Sequence, residues 1–127
     1  MENEVNIEKC PIDIALTIIN KKWVILIIRD MFFGKKHFNE FKENKPQLSN
    51  KVLSNCLKDM ENNGLIKRNE DENSNITYEL TEKGLALNKV LYELVRFTLY
   101  TDLNNTYYNR ENQQKVEDLF KKVLKIK

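Results

Sequence analysis

The chain contains few of the residues that break regular structure or build reactive sites. Its 127 residues include three glycines, two prolines, two cysteines and one histidine. So few helix breakers favour a mostly helical protein. One histidine and two distant cysteines do not have the spacing of a zinc site. There is no glycine-rich phosphate loop and no convincing nucleophile–base set, so we expect no metal, no cofactor and no enzymatic activity.

Long apolar segments are also missing. The first nine residues are acidic and polar, unlike a secretory signal. The longest apolar run, Trp23–Ile28, is too short to cross a bilayer. We therefore expect a cytoplasmic protein without a membrane partner. The two cysteines, Cys10 and Cys56, are then not expected to form a structural disulfide.

The composition, 41% hydrophobic and 31% charged, fits one folded domain spanning residues 1–127. The net charge is only +2, but it is unevenly distributed. Residues 34–68 contain eight lysines and arginines against four acidic residues, whereas residues 69–109 contain three against seven. A basic middle segment fits a nucleic-acid surface, and it fits a solvated helix face equally well.

Hydrophobic periodicity and capping residues predict four helices, a hairpin and two further helices. The predicted helices run from Pro11 to Ile19, from Trp23 to about Phe33, from Phe38 to Asn44, from the N-cap Ser49 to Gly64, from the cap Thr81 to about Tyr100, and from about Gln113 to Ile126. The predicted strands are 65–68 and 76–80, joined by a polar loop at 69–75.

The order of these elements is that of a winged helix-turn-helix domain. One face of the fourth predicted helix is apolar and packs inward, so its other face can enter a major groove. The outward residues are polar or basic and suit contacts with bases and phosphates: Ser49, Asn50, Lys51, Ser54, Asn55 and Lys58. The alternative interpretation is an ordinary solvated helix face.

The chain resembles the HxlR-type transcriptional regulators. The matching segments, from Cys10 to about Leu99, keep one order and spacing: Cys10-Pro11, Lys22-Trp23 with Ile25-Leu26, Gly34, Phe38-Asn39-Glu40-Phe41, Leu48 to Leu53, Gly64 to Arg68, and Tyr78 to Gly84. The resemblance implies a mainly α, winged-helix homodimer that binds double-stranded operator DNA with inverted-repeat half-sites. It also implies helical dimerisation extensions, at about residues 1–22 and 82–127.

The chain departs from the family pattern in three places. Asn20-Lys21 stands where two glycines are common, and His37 stands where an arginine often contacts phosphate. The wing tip, residues 69–75, is acidic, so phosphate should repel it. We expect the remaining contacts to come from Lys36 and from Lys67 and Arg68 at the base of the wing.

Cys10 precedes the first helix, where the helix dipole favours a thiolate. The resemblance implies that a cysteine at this place can sense oxidants or electrophiles, so a redox-sensing Cys10 and a plain cap residue both stay open. Cys56 is interpreted as a packing residue, with a disulfide to Cys10 as the minor alternative.

The predicted function is therefore that of a sequence-specific DNA-binding regulator, by default a repressor. The alternatives are a winged-helix module that binds protein and no DNA, supported by the acidic wing, and a thiol peroxidase, which lacks supporting residues. The aromatic residues near the end of the long helix are expected to fill core and dimer contacts, with a small-molecule effector pocket as the alternative: Tyr92, Phe97, Tyr100, Tyr107 and Tyr108.

Overall fold

The computed structural model describes residues 10–101, 108 and 110–127. Within these ranges the elements, in chain order, are α1 (Pro11–Ile19), α2 (Lys22–Phe32), a 3₁₀ helix (Phe38–Lys42), α3 (Asn50–Asn62), β1 (Ile66–Glu70), β2 (Ile76–Leu80), α4 (Glu82–Leu85), α5 (Asn88–Thr101) and α6 (Arg110–Val123). The predicted mainly helical winged helix-turn-helix fold is confirmed. Tyr107 lies outside the described residues.

Three predicted helix ends are confirmed by the backbone. Pro11 is the first residue of α1, where its missing N–H is not needed. Gly34 and Gly64 follow α2 and α3 with φ of 99° and 75°, the left-handed conformation that favours glycine. These two glycines let the chain leave each helix sharply.

The core lies between α2, the 3₁₀ helix, α3 and the hairpin. α2 is its centre, because Ile27 and Ile28 are both fully buried. The other side chains with at most 2% exposure are Val24, Phe41, Leu48, Leu53, Leu57, Met60, Leu65, Ile66 and Leu124. This core fixes the inner face of α3 and leaves its outer face free.

The strands form an antiparallel hairpin in which Ile66 pairs with Leu80 and Glu70 pairs with Ile76. A further main-chain bond extends this sheet, because the Tyr78 N–H donates to the Lys36 carbonyl at 2.9 Å. The segment before the 3₁₀ helix is therefore attached to β2.

α4 packs unusually closely against the start of the hairpin. A Cβ on Gly84 would lie 2.2 Å from the Leu65 carbonyl oxygen, so only glycine fits there. Thr81 caps α4, since its Oγ1 accepts from the Gly84 N–H at 3.1 Å, and the same hydroxyl donates to the Gly64 carbonyl at 2.5 Å. The base of the wing and α4 thus form one unit.

Three details of the predicted elements are wrong. The third helix is a 3₁₀ helix, because Phe38 and Phe41 share one inward row at three residues per turn. The predicted long helix is interrupted between Leu85 and Asn88, where tertiary contacts hold both sides: α4 is tied to Leu65, and Asn88 donates to the Leu124 carbonyl at 3.0 Å. The last helix begins earlier, at Arg110.

Candidate nucleic-acid interface

The outer face of α3 is polar and exposed. Its inner side is held by Leu53, Leu57 and Met60, all at most 2% exposed. At its start the Ser49 hydroxyl accepts a hydrogen bond from the Val52 N–H at 3.1 Å, as predicted for an N-cap. The helix is therefore packed against the core on its inner face and exposed on its outer face, as a helix that reads a DNA groove must be.

The predicted contact residues do not all lie together. The side chains on the outer face of α3 and its first turn are exposed: Ser49, Asn50, Lys51, Asn55 and Lys58. Ser54 is half-buried and lines a groove between α3 and the hairpin, together with Lys58, Arg68 and Tyr78. This groove brings basic residues of α3 and the hairpin together.

The two basic residues of β1 point to opposite faces of the hairpin, because side chains alternate along a strand. Arg68 pairs across from Tyr78 and lines the groove beside α3, whereas Lys67 pairs across from Glu79. Arg68 also lies 3.6 Å from the Glu70 carboxylate. Of the two, only Arg68 faces the same groove as Lys58.

Lys36 is exposed, and its backbone is held from two sides. Its carbonyl accepts from Tyr78, and its N–H donates to the Glu40 carboxylate at 3.0 Å. The His37 N–H donates to the same oxygen at 2.9 Å. These two bonds lower the pKa of Glu40. Lys36 thus stands on an ordered segment at the start of the helix-turn-helix.

Two features of this surface were not predicted from the sequence: the contact made by Lys42 and the exposure of Val52. The ammonium of Lys42, at the end of the 3₁₀ helix, donates to the side-chain oxygen of Asn50 at the start of α3. Val52 is 44% exposed in the first turn of α3. Neither lies on the apolar stripe or among the outward polar residues, so the periodicity carried no signal for them.

The turn before α3 is held by a buried ion pair. Lys45 and Asp30 are 7% and 4% exposed, and the Lys45 ammonium donates to the Asp30 carboxylate. Arg29 donates to the other oxygen of Asp30 at 2.9 Å. Lys45, counted among the basic middle residues, is therefore a structural residue that joins α2 to the turn and does not face DNA.

The wing tip is built on the carboxylate of Asp71. It accepts from the N–H groups of Asn73 and Asn75 at 2.8 and 2.9 Å, and from the Asn75 amide at 3.1 Å. These hydrogen bonds, those from Asn75 first, lower the pKa of Asp71. The ionised carboxylate of Asp71 thus helps to hold the turn together.

The two cysteines differ in environment, and both are free thiols. Cys10 is half-buried at the N-cap of α1. Cys56 is 6% exposed on the inner side of α3, with its thiol 3.8 Å from the Met60 sulfur. Burial raises the pKa of Cys56 to about 11, which makes it a poor nucleophile.

Helices α1, α5 and α6 expose an unusual amount of apolar surface. Ile12 and Phe97 are 69% and 68% exposed, and α1 and α6 contain no buried residue. A cavity of about 330 Å³ lies between α2, α5 and α6, with Tyr108 among its lining residues.

A polar clamp joins α5 to α6. The hydroxyls of Tyr92 and Tyr100 both donate to the carboxylate of Glu117, that of Tyr92 at 2.5 Å. Arg96 lies 3.6 Å from the same carboxylate. The bond from Tyr100, followed by that from Tyr92, lowers the pKa of Glu117.

The described part of the chain contains neither a metal-binding cluster nor a membrane-spanning helix. There, no group of three or more histidine, cysteine or acidic side chains is placed to hold a metal ion. None of the described helices is long and apolar enough to span a membrane.

Comparison with known proteins gives consistent matches. The family model for the HxlR-like helix-turn-helix matches residues 18–104. The regulator YvaP of Bacillus subtilis is 38% identical over 93 residues, covering 71% of this chain and 86% of YvaP. The transcriptional regulator YodB of the same organism is 36% identical over 88 residues, covering 67% of this chain and 79% of YodB.

Solved structures agree with these matches. The reduced form of YodB superposes with a TM-score of 0.62 at 35% identity, covering 70% of this chain and 90% of YodB. Diamide-treated and quinone-bound YodB give TM-scores of 0.58 and 0.60. The redox regulator HypR in its oxidized form gives 0.64 at 28% identity, covering 70% of this chain and 94% of HypR. The chain belongs to the HxlR-like helix-turn-helix family of transcriptional regulators.

Proposed function

We propose that this regulator binds an inverted-repeat operator as a homodimer and represses transcription by occupying the promoter. The observation that carries the proposal is the outer face of α3, where Lys51, Asn55 and Lys58 stand exposed on a helix whose other side is fully packed. Such a helix fits the major groove. Its place of action would be the cytoplasm.

Phosphate contacts come from basic residues around this helix. Arg68 borders the groove beside Lys58, and Lys36 stands on the ordered segment attached to β2. Lys67 lies on the opposite face of the hairpin and would contact the backbone from the outer side of the wing. The wing tip would contribute little, because the carboxylate of Asp71 is fixed in its turn and repels phosphate.

The dimer would form through the helical extensions, at residues 1–22 and 82–127. Large exposed apolar patches mark interaction surfaces. Ile12 and Leu16 on α1, and Leu94 and Phe97 on α5, are 46–69% exposed. A Phe97→Asp variant should therefore shift the molecular mass measured by light scattering from dimer to monomer. An Asn62→Asp variant, at an exposed position outside both extensions, serves as the control.

A response to oxidants or electrophiles would reside in Cys10. YodB has diamide-treated and quinone-bound structures, and HypR is a redox regulator. Cys10 is the more accessible thiol here, whereas Cys56 is buried with a raised pKa. Operator release caused by diamide should disappear in Cys10→Ser and persist in Cys56→Ser. Release that persists in Cys10→Ser contradicts the sensor role.

The experiment that tests DNA binding is a fluorescence anisotropy titration of a duplex carrying the upstream region of the gene, against a scrambled duplex. We expect tight binding that prefers the native duplex and weakens steeply with salt. Lys51→Glu should abolish it, and Lys127→Glu should not. Equal binding by Lys51→Glu contradicts groove reading by α3. If random-sequence selection also yields no bound duplex, the alternative of a protein-interaction module is correct.

A further inference from the structure

We propose that Lys42 and Asn50 act as one reading unit that selects guanine, and that Asn50 does not read adenine. The inference rests on the proposed function, since it assumes that α3 enters a major groove. The pair joins the end of the 3₁₀ helix to the first residue of α3. It therefore brings a residue from outside α3 to the tip of the reading helix.

The bond between the two side chains fixes the orientation of the Asn50 amide. An amide presents an oxygen acceptor and an NH₂ donor, which are hard to distinguish by shape alone. The lysine ammonium has only donors, so its partner must be the oxygen, Oδ1. The amide NH₂ of Asn50 is then directed away from Lys42, on an exposed residue.

This orientation changes which base the amide suits. A free asparagine reads adenine with both groups, accepting from N6 and donating to N7. Here the Lys42 ammonium binds one lone pair of the oxygen and sets a positive charge beside the other, and the unit offers the NH₂ of Asn50 and the remaining N–H groups of the ammonium. Guanine presents two acceptors, O6 and N7, in the major groove. This donor-rich, positively charged unit therefore matches guanine, while the amino group of adenine would have to approach the oxygen beside an ammonium group.

The position of the unit supports contact with bases. Asn50 directly follows the N-cap Ser49, and the N-terminal residues of a recognition helix are those that reach base edges. The neighbouring Lys51 is exposed and adds positive charge, which suits the acceptor-rich edge of guanine. Both features place the donors of Lys42 and Asn50 where a base would lie.

The test is selection of binding sites from random duplexes with the wild-type protein, Lys42→Met and Lys36→Met. The wild type should select a guanine in each half-site that Lys42→Met replaces by adenine, because methionine frees the oxygen of Asn50. Lys36→Met, which removes a candidate phosphate contact, should bind more weakly with the same consensus. An unchanged consensus in Lys42→Met overturns the inference.

A chemical substitution gives a second readout that does not depend on the variant folding. Replacing that guanine by 7-deazaguanine removes the N7 acceptor and should weaken wild-type binding by up to about 150-fold, the upper limit for a complete bidentate base contact. Inosine keeps both O6 and N7 and should bind like guanine. Unaltered affinity for the 7-deaza duplex also overturns the inference. Failure of the wild type to select any duplex would instead refute the proposed function.

Discussion

The buried pair of Asp30 and Lys45 should be the most sensitive electrostatic contact in the described part of the chain. Their side chains are 6% and 5% exposed, so removing one partner leaves a charge in a dry environment. Breaking such a pair costs about 3–5 kcal/mol. That is a large part of the ~5–15 kcal/mol by which a domain is stable.

The structure predicts that the two single substitutions differ. In Lys45→Met, Asp30 still accepts from Arg29 at 2.9 Å, so the destabilisation should be about 3 kcal/mol. In Asp30→Asn, the Lys45 ammonium loses its counter-charge and keeps only neutral acceptors, such as the Glu43 carbonyl at 3.4 Å, so the destabilisation should approach about 5 kcal/mol. The order of the two values is the critical expectation.

An exposed pair of the same chemistry provides the control. Lys21 and Asp59 are 3.0 Å apart with side-chain exposures of 64% and 50%. Asp59→Asn should cost at most about 1 kcal/mol. The assay is urea unfolding of all variants at one fixed protein concentration, because the stability of the proposed dimer would depend on concentration.

The double variant Asp30→Leu with Lys45→Met completes the test. Replacing both partners by apolar residues removes the unpaired charge, so stability should recover to near the wild-type value. The reasoning is refuted if Asp30→Asn costs no more than Asp59→Asn, or if the double variant is less stable than both single variants. Reduced operator affinity of Lys45→Met below its unfolding transition would further show that the pair positions α3.

Three further predictions follow from the packing. Gly84→Ala should destabilise the protein by about 1–3 kcal/mol, because the alanine Cβ would lie 2.2 Å from the Leu65 carbonyl oxygen. This is expected although alanine ordinarily favours a helix. An unchanged midpoint in thermal or urea unfolding contradicts the prediction. The lowered pKa of Glu117 stabilises the folded protein above the unfolded pKa of about 4.3, and this stabilisation is lost as the pH falls through the lower folded pKa. Glu117→Gln should therefore reduce the dependence of the unfolding free energy on pH in the acid range. An unchanged pH dependence in this variant would be inconsistent with the clamp. A maleimide should label Cys10 in the native protein but Cys56 only after unfolding, and mass spectrometry showing rapid native labelling of Cys56 would contradict its burial.

Features set by single residues and local spacing were predictable from the sequence. Gly34 and Gly64 end helices because their backbone φ is positive, and Ser49 caps α3 through its own hydroxyl. The exposed face of α3 also followed from its periodicity, since its inner residues repeat at three and four positions. These signals identified the fold and the candidate reading helix.

Features set by tertiary contacts were not predictable. The interruption between α4 and α5 depends on the close packing of Gly84 against Leu65 and on the hydrogen bond from Asn88 to the Leu124 carbonyl. Neither contact produces a periodic pattern in the sequence. The burial of Lys45 depends on Asp30, fifteen positions away, and lysine is ordinarily a surface residue. The pairing of Lys42 with Asn50 likewise requires two elements to be placed together.

The hydrogen bond from the Tyr78 N–H to the Lys36 carbonyl also affects the tendency of the protein to aggregate. A two-stranded hairpin has two open edges, and an open edge can pair with another chain and start aggregation. The segment at Lys36 occupies the outer edge of β2, while the exposed Lys67 and Arg68 blunt the edge of β1 with charge. Neutralising Lys67 and Arg68 to weaken operator binding would therefore also remove the charges that oppose pairing between exposed strand edges. Such variants should become less soluble as well as less active.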